Sequence, residues 1–215
     1  MPALALDRSD ITGLILAGGL GTRMGGVDKG LQQWSNHSLA WHALQRLQPQ
    51  VNTVLVNANR HLQDYQELGV PVYPDALADF PGPLAGFLVG LQHASTPYVL
   101  TVPCDSPRFP LDLASRLAQA LHDHQAEIAM VSAPETGPDG ITTLRAQPVF
   151  CLLPVQLQAS LQAFLASGQR KIDRWTAQHR TVLVPFNQAQ DDAMAFANIN
   201  TLAELNALAP PPSTP

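Results

Sequence analysis

The chain has 215 residues, enough for one sizeable α/β domain rather than two independent cores. Apolar residues make up 46% and charged residues 13%, so most of the chain should be packed; a net charge of −5 excludes general affinity for nucleic acid or anionic membrane, and an anionic ligand must be drawn by local cations. Two cysteines, Cys104 and Cys151, give neither a disulfide framework nor a metal spacing, residues 1–10 lack a signal peptide's apolar block, and no apolar run could span a bilayer, so a soluble cytoplasmic protein is expected.

Strand-like and helix-like stretches alternate, which predicts an α/β fold with a mostly parallel central sheet and helices on both faces. The first strand is predicted over 11–17. A helix over 38–47 follows, capped near Asn36 or His37 and stopped by Pro49. A strand over 53–57, a helix over 60–68 ended by Gly69, and a short strand over 70–73 come next. The helix over 83–93 opens on Pro83, whose missing N–H costs nothing there. The apolar run 98–102 reads as a central parallel strand. An amphipathic helix over 111–124, a strand over 128–132 and a loop over 134–140 precede the segments 141–144 and 149–153, read as an antiparallel pair or insertion. Helices over 155–166 and 172–178, a strand over 181–185 and a helix over 201–208 complete the layout. The expected organisation is an N-terminal extension over 1–10, one domain over 11–208, and a disordered proline-rich tail over 209–215.

The polar residues that interrupt this pattern gather at the carboxyl ends of strands, where open α/β sheets place their ligands. The first strand runs into Leu16-Ala17-Gly18-Gly19-Leu20-Gly21-Thr22-Arg23-Met24-Gly25-Gly26-Val27-Asp28-Lys29. Glycines from Gly18 and Gly19 onward let backbone N–H groups converge on phosphate oxygens, and Arg23 and Lys29 supply the countercharge a triphosphate requires. It is not a Walker A loop, since Lys29 is followed by Gly30 rather than Ser or Thr. Nor is it a dinucleotide fingerprint, because Met24 stands at the third glycine position and Asn57, not an acid, ends the second strand.

Asp105, after the buried strand at 98–102, is the candidate magnesium ligand, because Mg2+ takes one or two carboxylates together with substrate phosphates. Capping the turn before Pro107 is its plainer role. Asn57 and Asp75 could read a base or ribose, with Asp79 in reserve for Asp75, and both also suit caps or turns. The turn 81–86 enters a helix and could present backbone groups to a ligand. Arg170 and Lys171 could meet a second anionic substrate or simply begin a surface helix. Asn200 precedes a helix and could cap it; Asn198 has no such structural reason. His122 and His124 face apart on their helix and find no third metal ligand. Cys104 reads as a small buried residue, and Trp34, Trp41 and Trp175 as packing residues.

Taken together, the run from Leu16 to Gly30, the stretch Val56-Asn57-Ala58-Asn59-Arg60, residues 75–86, Pro103-Cys104-Asp105-Ser106-Pro107 and Asn198-Ile199-Asn200-Thr201 resemble the molybdenum cofactor guanylyltransferase family. That resemblance spans 11 to about 208 and implies a three-layer Rossmann-like nucleotidyltransferase fold. It implies transfer of GMP from GTP to Mo-molybdopterin, with pyrophosphate released and Mg2+ as cofactor. It assigns GTP binding to Leu16, Ala17, Gly18, Lys29, Asn57 and Asp75, with Gly19 in the same loop, and magnesium to Asp105. Gln147, Arg170, Lys171, Asn198 and Asn200 fall where the family handles its pterin substrate. A molybdenum-insertion protein and apo-molybdoenzymes or their chaperones are the protein partners it suggests. The related cytidylyltransferase branch usually has an alanine in place of Gly18 and lacks the Pro-Cys-Asp run. The same loop and aspartate would also serve a sugar-1-phosphate nucleotidyltransferase, or a nucleotide-binding chaperone that does not turn over.

Overall fold

The computed structural model describes residues 6–18, 28–75, 82–199 and Glu204. β1 (Ile11–Leu16) is followed by a small hairpin, β2 (Gln33–Trp34) and β3 (His37–Ser38), and by α1 (Leu39–Leu47). β4 (Thr53–Asn57), α2 (Leu62–Gln66), β5 (Val72–Tyr73), α3 (Pro83–His93) and β6 (Tyr98–Pro103) come next. α4 (Leu113–His124), β7 (Ile128–Thr136), β8 (Thr142–Pro154), α5 (Gln158–Ala166), α6 (Ile172–Thr176) and β9 (Thr181–Pro185) complete the order. Seven strands form one sheet in the order β5-β4-β1-β6-β8-β7-β9. β5, β4, β1 and β6 run parallel, β9 is parallel to β7, and β8 alone runs antiparallel to both of its neighbours. The fold is therefore the mostly parallel, Rossmann-like α/β arrangement expected of the sequence.

The period of two along each strand sorts side chains between two cores. Ile15, Val54, Val56, Leu100, Val102, Val131 and Leu152 face one layer, formed by α1, α2 and α4 through Ala40, Leu44, Leu47, Tyr65, Leu117 and Leu121. Leu14, Leu16, Leu55, Val99, Met130 and Leu153 face the other, formed by α3, α5 and α6 through Leu84, Phe87, Leu161, Phe164 and Trp175. Trp34 and Trp175 are buried, and Trp41 stacks on His37. Helices on both faces leave the carboxyl ends of β1, β4, β5 and β6 together at one edge.

Three local expectations are corrected. The cap of α1 is Ser38, whose hydroxyl accepts the Trp41 N–H, and not Asn36 or His37; Asn36, at φ 71°, turns the β2–β3 hairpin instead. Segments 141–144 and 149–153 are not a pair with each other but parts of one long strand, β8, and β7 extends into the predicted loop as far as Thr136, leaving 137–140 as the turn. Pro134 fits there because β9 pairs with β7 only as far as Ser132, so at residue 134 β7 is an edge strand partnered by β8 alone, where proline's missing N–H is tolerated. β6, expected as a central parallel strand, is central and parallel to β1 but has an antiparallel partner, β8, on its other side. Arg23, Gly19, Asp79, Asn200, the tail over 209–215 and, apart from Glu204, the helix expected over 201–208 lie outside the described residues.

After β9 the chain returns across the sheet edge. Phe186 and Phe196 pack edge to face, Phe196 packs likewise on Phe150, and Phe150 on Phe109. Arg116 binds this return segment, donating from Nη1 to Asp191 Oδ1 at 2.7 Å and from Nη2 to the Pro185 carbonyl at 2.7 Å, with its guanidinium 3.6 Å above the Phe186 ring. Arg108 donates to Asp192 at 2.7 Å. The segment ends against the Asp105 turn, where the Ile199 N–H donates to the Asp105 carbonyl at 2.8 Å.

Candidate active site

The strand ends remain joined one residue past the ladder, which fixes the loops they release. The Ala17 N–H donates to the Asn57 carbonyl at 2.8 Å, the Cys104 N–H to the Leu16 carbonyl at 3.1 Å, and the Ala58 N–H to the Tyr73 carbonyl at 3.1 Å. Above them lies a cleft of about 400 Å³, lined among others by Leu16, Ala17, Asp28, Lys29, Asp105, Gln147 and Asn198. That size suits a nucleotide-scale ligand.

Lys29 and Asp105 are 76 residues apart in sequence, yet Lys29 Nζ donates to Asp105 Oδ2 at 3.3 Å on the cleft wall. Lys29 is held there by the residue before it. Asp28 caps a short 3-10 turn: its Oδ1 accepts the Gly30 N–H at 3.2 Å and the Tyr65 hydroxyl at 2.6 Å. Tyr65 is fully buried beneath the turn, and burial raises its pKa far above the usual phenol value, so it stays a hydroxyl donor. Gly30 must be glycine, because a Cβ would meet the Tyr65 hydroxyl and would stand 3.2 Å from Cys104 Sγ. Burial, with Asp105 and Asp28 close by, pushes the Cys104 thiol well above its usual pKa, and it packs as a small neutral group.

The opposite wall comes from an irregularity in β8. Met130 pairs with Cys151 but Val131 pairs with Gln147, so Pro148, Val149 and Phe150 have no register partner on β7. The Thr101 hydroxyl restrains the bulge by donating to the Val149 carbonyl at 2.6 Å. Bulges bend a strand and re-aim its side chains beside functional sites; here Gln147 through Phe150 become cleft lining. Asn198 reaches the cleft through the return segment, its Oδ1 accepting from the buried Ser106 hydroxyl at 2.6 Å.

Asn57 and Asp75 lie at a neighbouring rim, beyond Ala17 and Gly18. Asp75 Oδ1 accepts from Asn57 Nδ2 at 2.9 Å, and Asp75 Oδ2 from Asn59 Nδ2 at 2.8 Å. Asn57 is buried, and its Oδ1 sits so close to Gly86 that a Cβ there would collide with it. The structure thus gathers Leu16, Ala17, Lys29, Asp105, Gln147 and Asn198 in one cleft and sets Gly18, Asn57 and Asp75 at its edge. Arg170 and Lys171 precede α6 and do not line the cleft; Arg170 Nη1 donates to the Leu165 and Gln169 carbonyls at 3.0 and 2.7 Å.

For a divalent cation, the cleft offers carboxylate oxygens from Asp105 and Asp28, while no group of three or more His, Cys, Asp or Glu side chains gathers among the described residues. One or two carboxylates with room for substrate phosphates is the donor set that suits Mg2+ and does not suit a tight zinc or calcium cage.

A family model described as the MobA-like NTP transferase domain matches residues 13–182. A molybdenum cofactor guanylyltransferase of Acidovorax sp. (strain JS42) is 61% identical over 204 residues, covering 94% of this chain and 97% of that protein. One from Bordetella pertussis is 56% identical over 203 residues, covering 94% and 98%. The chain belongs to the molybdenum cofactor guanylyltransferase family. Among solved structures, the molybdopterin-guanine dinucleotide biosynthesis protein A of Archaeoglobus fulgidus superposes with a TM-score of 0.71 at 18% identity, over 91% of this chain and 95% of that one. The 4-diphosphocytidyl-2C-methyl-D-erythritol synthase of Anaerococcus prevotii gives 0.69 at 12% identity, over 93% and 96%. At such identities these two show a shared fold.

Around this cleft, sequence reasoning gave no role to Asp28, Ser106 and Asn59, which stood only inside the stretches that carry the family resemblance, and did not single out Tyr65 at all. Asp28 was visible only as the residue before Lys29. Tyr65 carried no local signal, since an aromatic at a helical position reads as core, and its hydroxyl partner lies 37 residues away.

Proposed function

We propose that the chain transfers GMP from GTP to Mo-molybdopterin, forming the guanine dinucleotide cofactor and pyrophosphate in the cytoplasm. The observation that carries this reading is the Lys29–Asp105 pair, set at 3.3 Å on the wall of a strand-end cleft in a chain of this family. On this reading Leu16, Ala17, Gly18, Gly19, Lys29, Asn57 and Asp75 bind GTP, and Arg23 and Lys29 balance the triphosphate charge. Gln147, Asn198 and Asn200, with Arg170 and Lys171, take the pterin. Asp105, with Asp28 beside it, would hold Mg2+, which neutralises phosphate charge when bound.

The chemistry asked of the side chains is positioning and charge balance. Lys29 exchanges its carboxylate partner for phosphate oxygens when the triphosphate enters, leaving the Asp105 carboxylate available as a ligand. The terminal phosphate of the pterin attacks the α-phosphate in line, and the bond from that phosphorus to the bridging oxygen of pyrophosphate breaks. No general base is needed, because the attacking phosphate is already ionised near neutral pH. The bulge at residues 148–150 lines the cleft and would orient the acceptor.

Pyrophosphate release in the presence of GTP, Mg2+ and Mo-molybdopterin tests the reading. Asp105→Asn and Lys29→Ala should each lower kcat by about a hundredfold or more, the scale on which removing one preorganised electrostatic contact acts, with unfolding curves that show an intact fold. Faster turnover with CTP would instead make the chain a cytidylyltransferase, and a sugar 1-phosphate as the better acceptor would make it a sugar nucleotidyltransferase. Tight GTP binding with no release would make it a nucleotide-binding chaperone.

A further inference from the structure

Asn59 lies just beyond β4, is exposed, and makes a closed ring with Asp75. The Asp75 N–H donates to Asn59 Oδ1 at 2.7 Å, and Asn59 Nδ2 donates back to Asp75 Oδ2 at 2.8 Å. The same Nδ2 lies 3.4 Å from the Gly18 carbonyl. Asn57 completes the arrangement from the buried side, donating from Nδ2 to Asp75 Oδ1 at 2.9 Å and to the Tyr73 carbonyl at 3.2 Å. The orientation of both amides follows from partners that have a single role. A backbone N–H only donates, so Asn59 must offer its oxygen to Asp75; a carbonyl only accepts, so Asn57 must offer its nitrogen to Tyr73.

We propose that Asn59 is a positioning residue that sets the choice of base by holding the Asp75 carboxylate in a fixed plane. The proposal rests on the reading that Asp75 meets the base of the nucleotide. Each Asp75 oxygen accepts one amide N–H in this ring, and a carboxylate has about four acceptor positions, so one lone pair on each oxygen remains. Two parallel acceptors match the adjacent N1–H and 2-amino donors of guanine. Hypoxanthine offers only the first of these, and adenine and cytosine set a ring-nitrogen acceptor against the carboxylate. A carboxylate free to rotate could still take one N–H from any base that has one, but would lose the two-point match. Asn57 alone leaves that rotation open, because it holds a single oxygen.

The test is equilibrium binding of GTP and of ITP, its analogue without the 2-amino group, to the full chain with Mg2+. Asn59→Ala should reduce the GTP-over-ITP preference about tenfold, the worth of one charge-assisted hydrogen bond. Asn59→Asp keeps an acceptor for the Asp75 N–H but sets like charges together, and should reduce the preference at least as far; it also serves should the alanine variant fail to fold. A residue that merely supports the fold would weaken both nucleotides alike and leave the ratio unchanged. Asp75→Ala should abolish the preference, and adding Asn59→Ala to it should change the ratio no further. A collapsed ratio in Asp75→Ala with an unchanged one in both Asn59 variants overturns the role of Asn59 and leaves the base-reading role of Asp75 standing. An unchanged ratio in Asp75→Ala overturns both.

Discussion

The Tyr65 hydroxyl carries more than its place in the core requires. It donates at 2.6 Å to a buried carboxylate that also caps the turn bearing Lys29. Tyr65→Phe keeps the ring and its packing but takes one of the two hydrogen bonds from Asp28 Oδ1. Leaving a buried charged acceptor short of a partner costs about 1–3 kcal/mol, which a shift of the urea midpoint at unchanged m-value would measure. Turnover should fall further than this loss of stability explains, because the Asp28 turn is what aims Lys29 across the cleft. Lys29 and Asp105 could be picked out from the sequence as candidates, a cation in a glycine-rich strand-end loop and an acid after a buried strand, and the structure brings the two together at the cleft. Tyr65 was not legible, because its chemistry is a partner 37 residues away and nothing in its own neighbourhood distinguishes it from a core residue. Asn59 stood in a stretch that carries the family resemblance, but its bonds to Asp75 were not readable there.

At the scale of elements, the site depends on two departures from regular structure. One is the register break in β8, which turns residues 147–150 into cleft wall. The other is the return segment after β9, bound through Arg116 to Asp191 and ending against the Asp105 turn. The Arg116 guanidinium, bonded directly to Asp191, holds that carboxyl below its usual pKa. A carboxylate whose folded pKa is depressed adds stability that is present above its unfolded pKa of about 4 and is lost as the pH falls through that value toward the folded one. Asp191→Asn should therefore be less stable than the parent at pH 7, with the difference shrinking below about pH 4, as thermal melts across that range would record. The helix over 83–93 and the strands over 53–57 and 181–185 were read to the residue, because proline, glycine and uninterrupted apolar runs mark their limits. β8 was divided in two by its polar stretch, since a strand that leaves the body of the sheet no longer shows the apolar signal of a buried one.

For the whole molecule, the sheet order sets β1 between β4 and β6, with β8 beyond, so one ligand at the strand ends touches elements drawn from most of the chain. Such a ligand should act as a fastener. GTP with Mg2+ at a hundred times its dissociation constant should raise unfolding stability by about 2.7 kcal/mol, seen as a rise in melting temperature. Removing Mg2+ with a chelator, or introducing Asp105→Asn, should remove most of that rise while leaving the melting of the unliganded protein nearly unchanged. The absence of the rise in the parent protein would count against a nucleotide at this cleft.

Composition and periodicity determined by themselves that the chain packs as α/β layers, because alternation of buried strands and amphipathic helices is a local property written into consecutive residues. The glycine-rich loop, the acid after β6 and the stretches shared with the guanylyltransferases likewise pointed to the chemistry from the sequence alone. Tertiary structure alone decided which distant residues meet: Tyr65 with Asp28, Asn59 with Asp75, Ser106 with Asn198, and Lys29 with Asp105. Hydrogen bonds reach about 3 Å through space and carry no trace of the number of residues between their ends, so the pairing that shapes this site appears only once the sheet has brought its edges together.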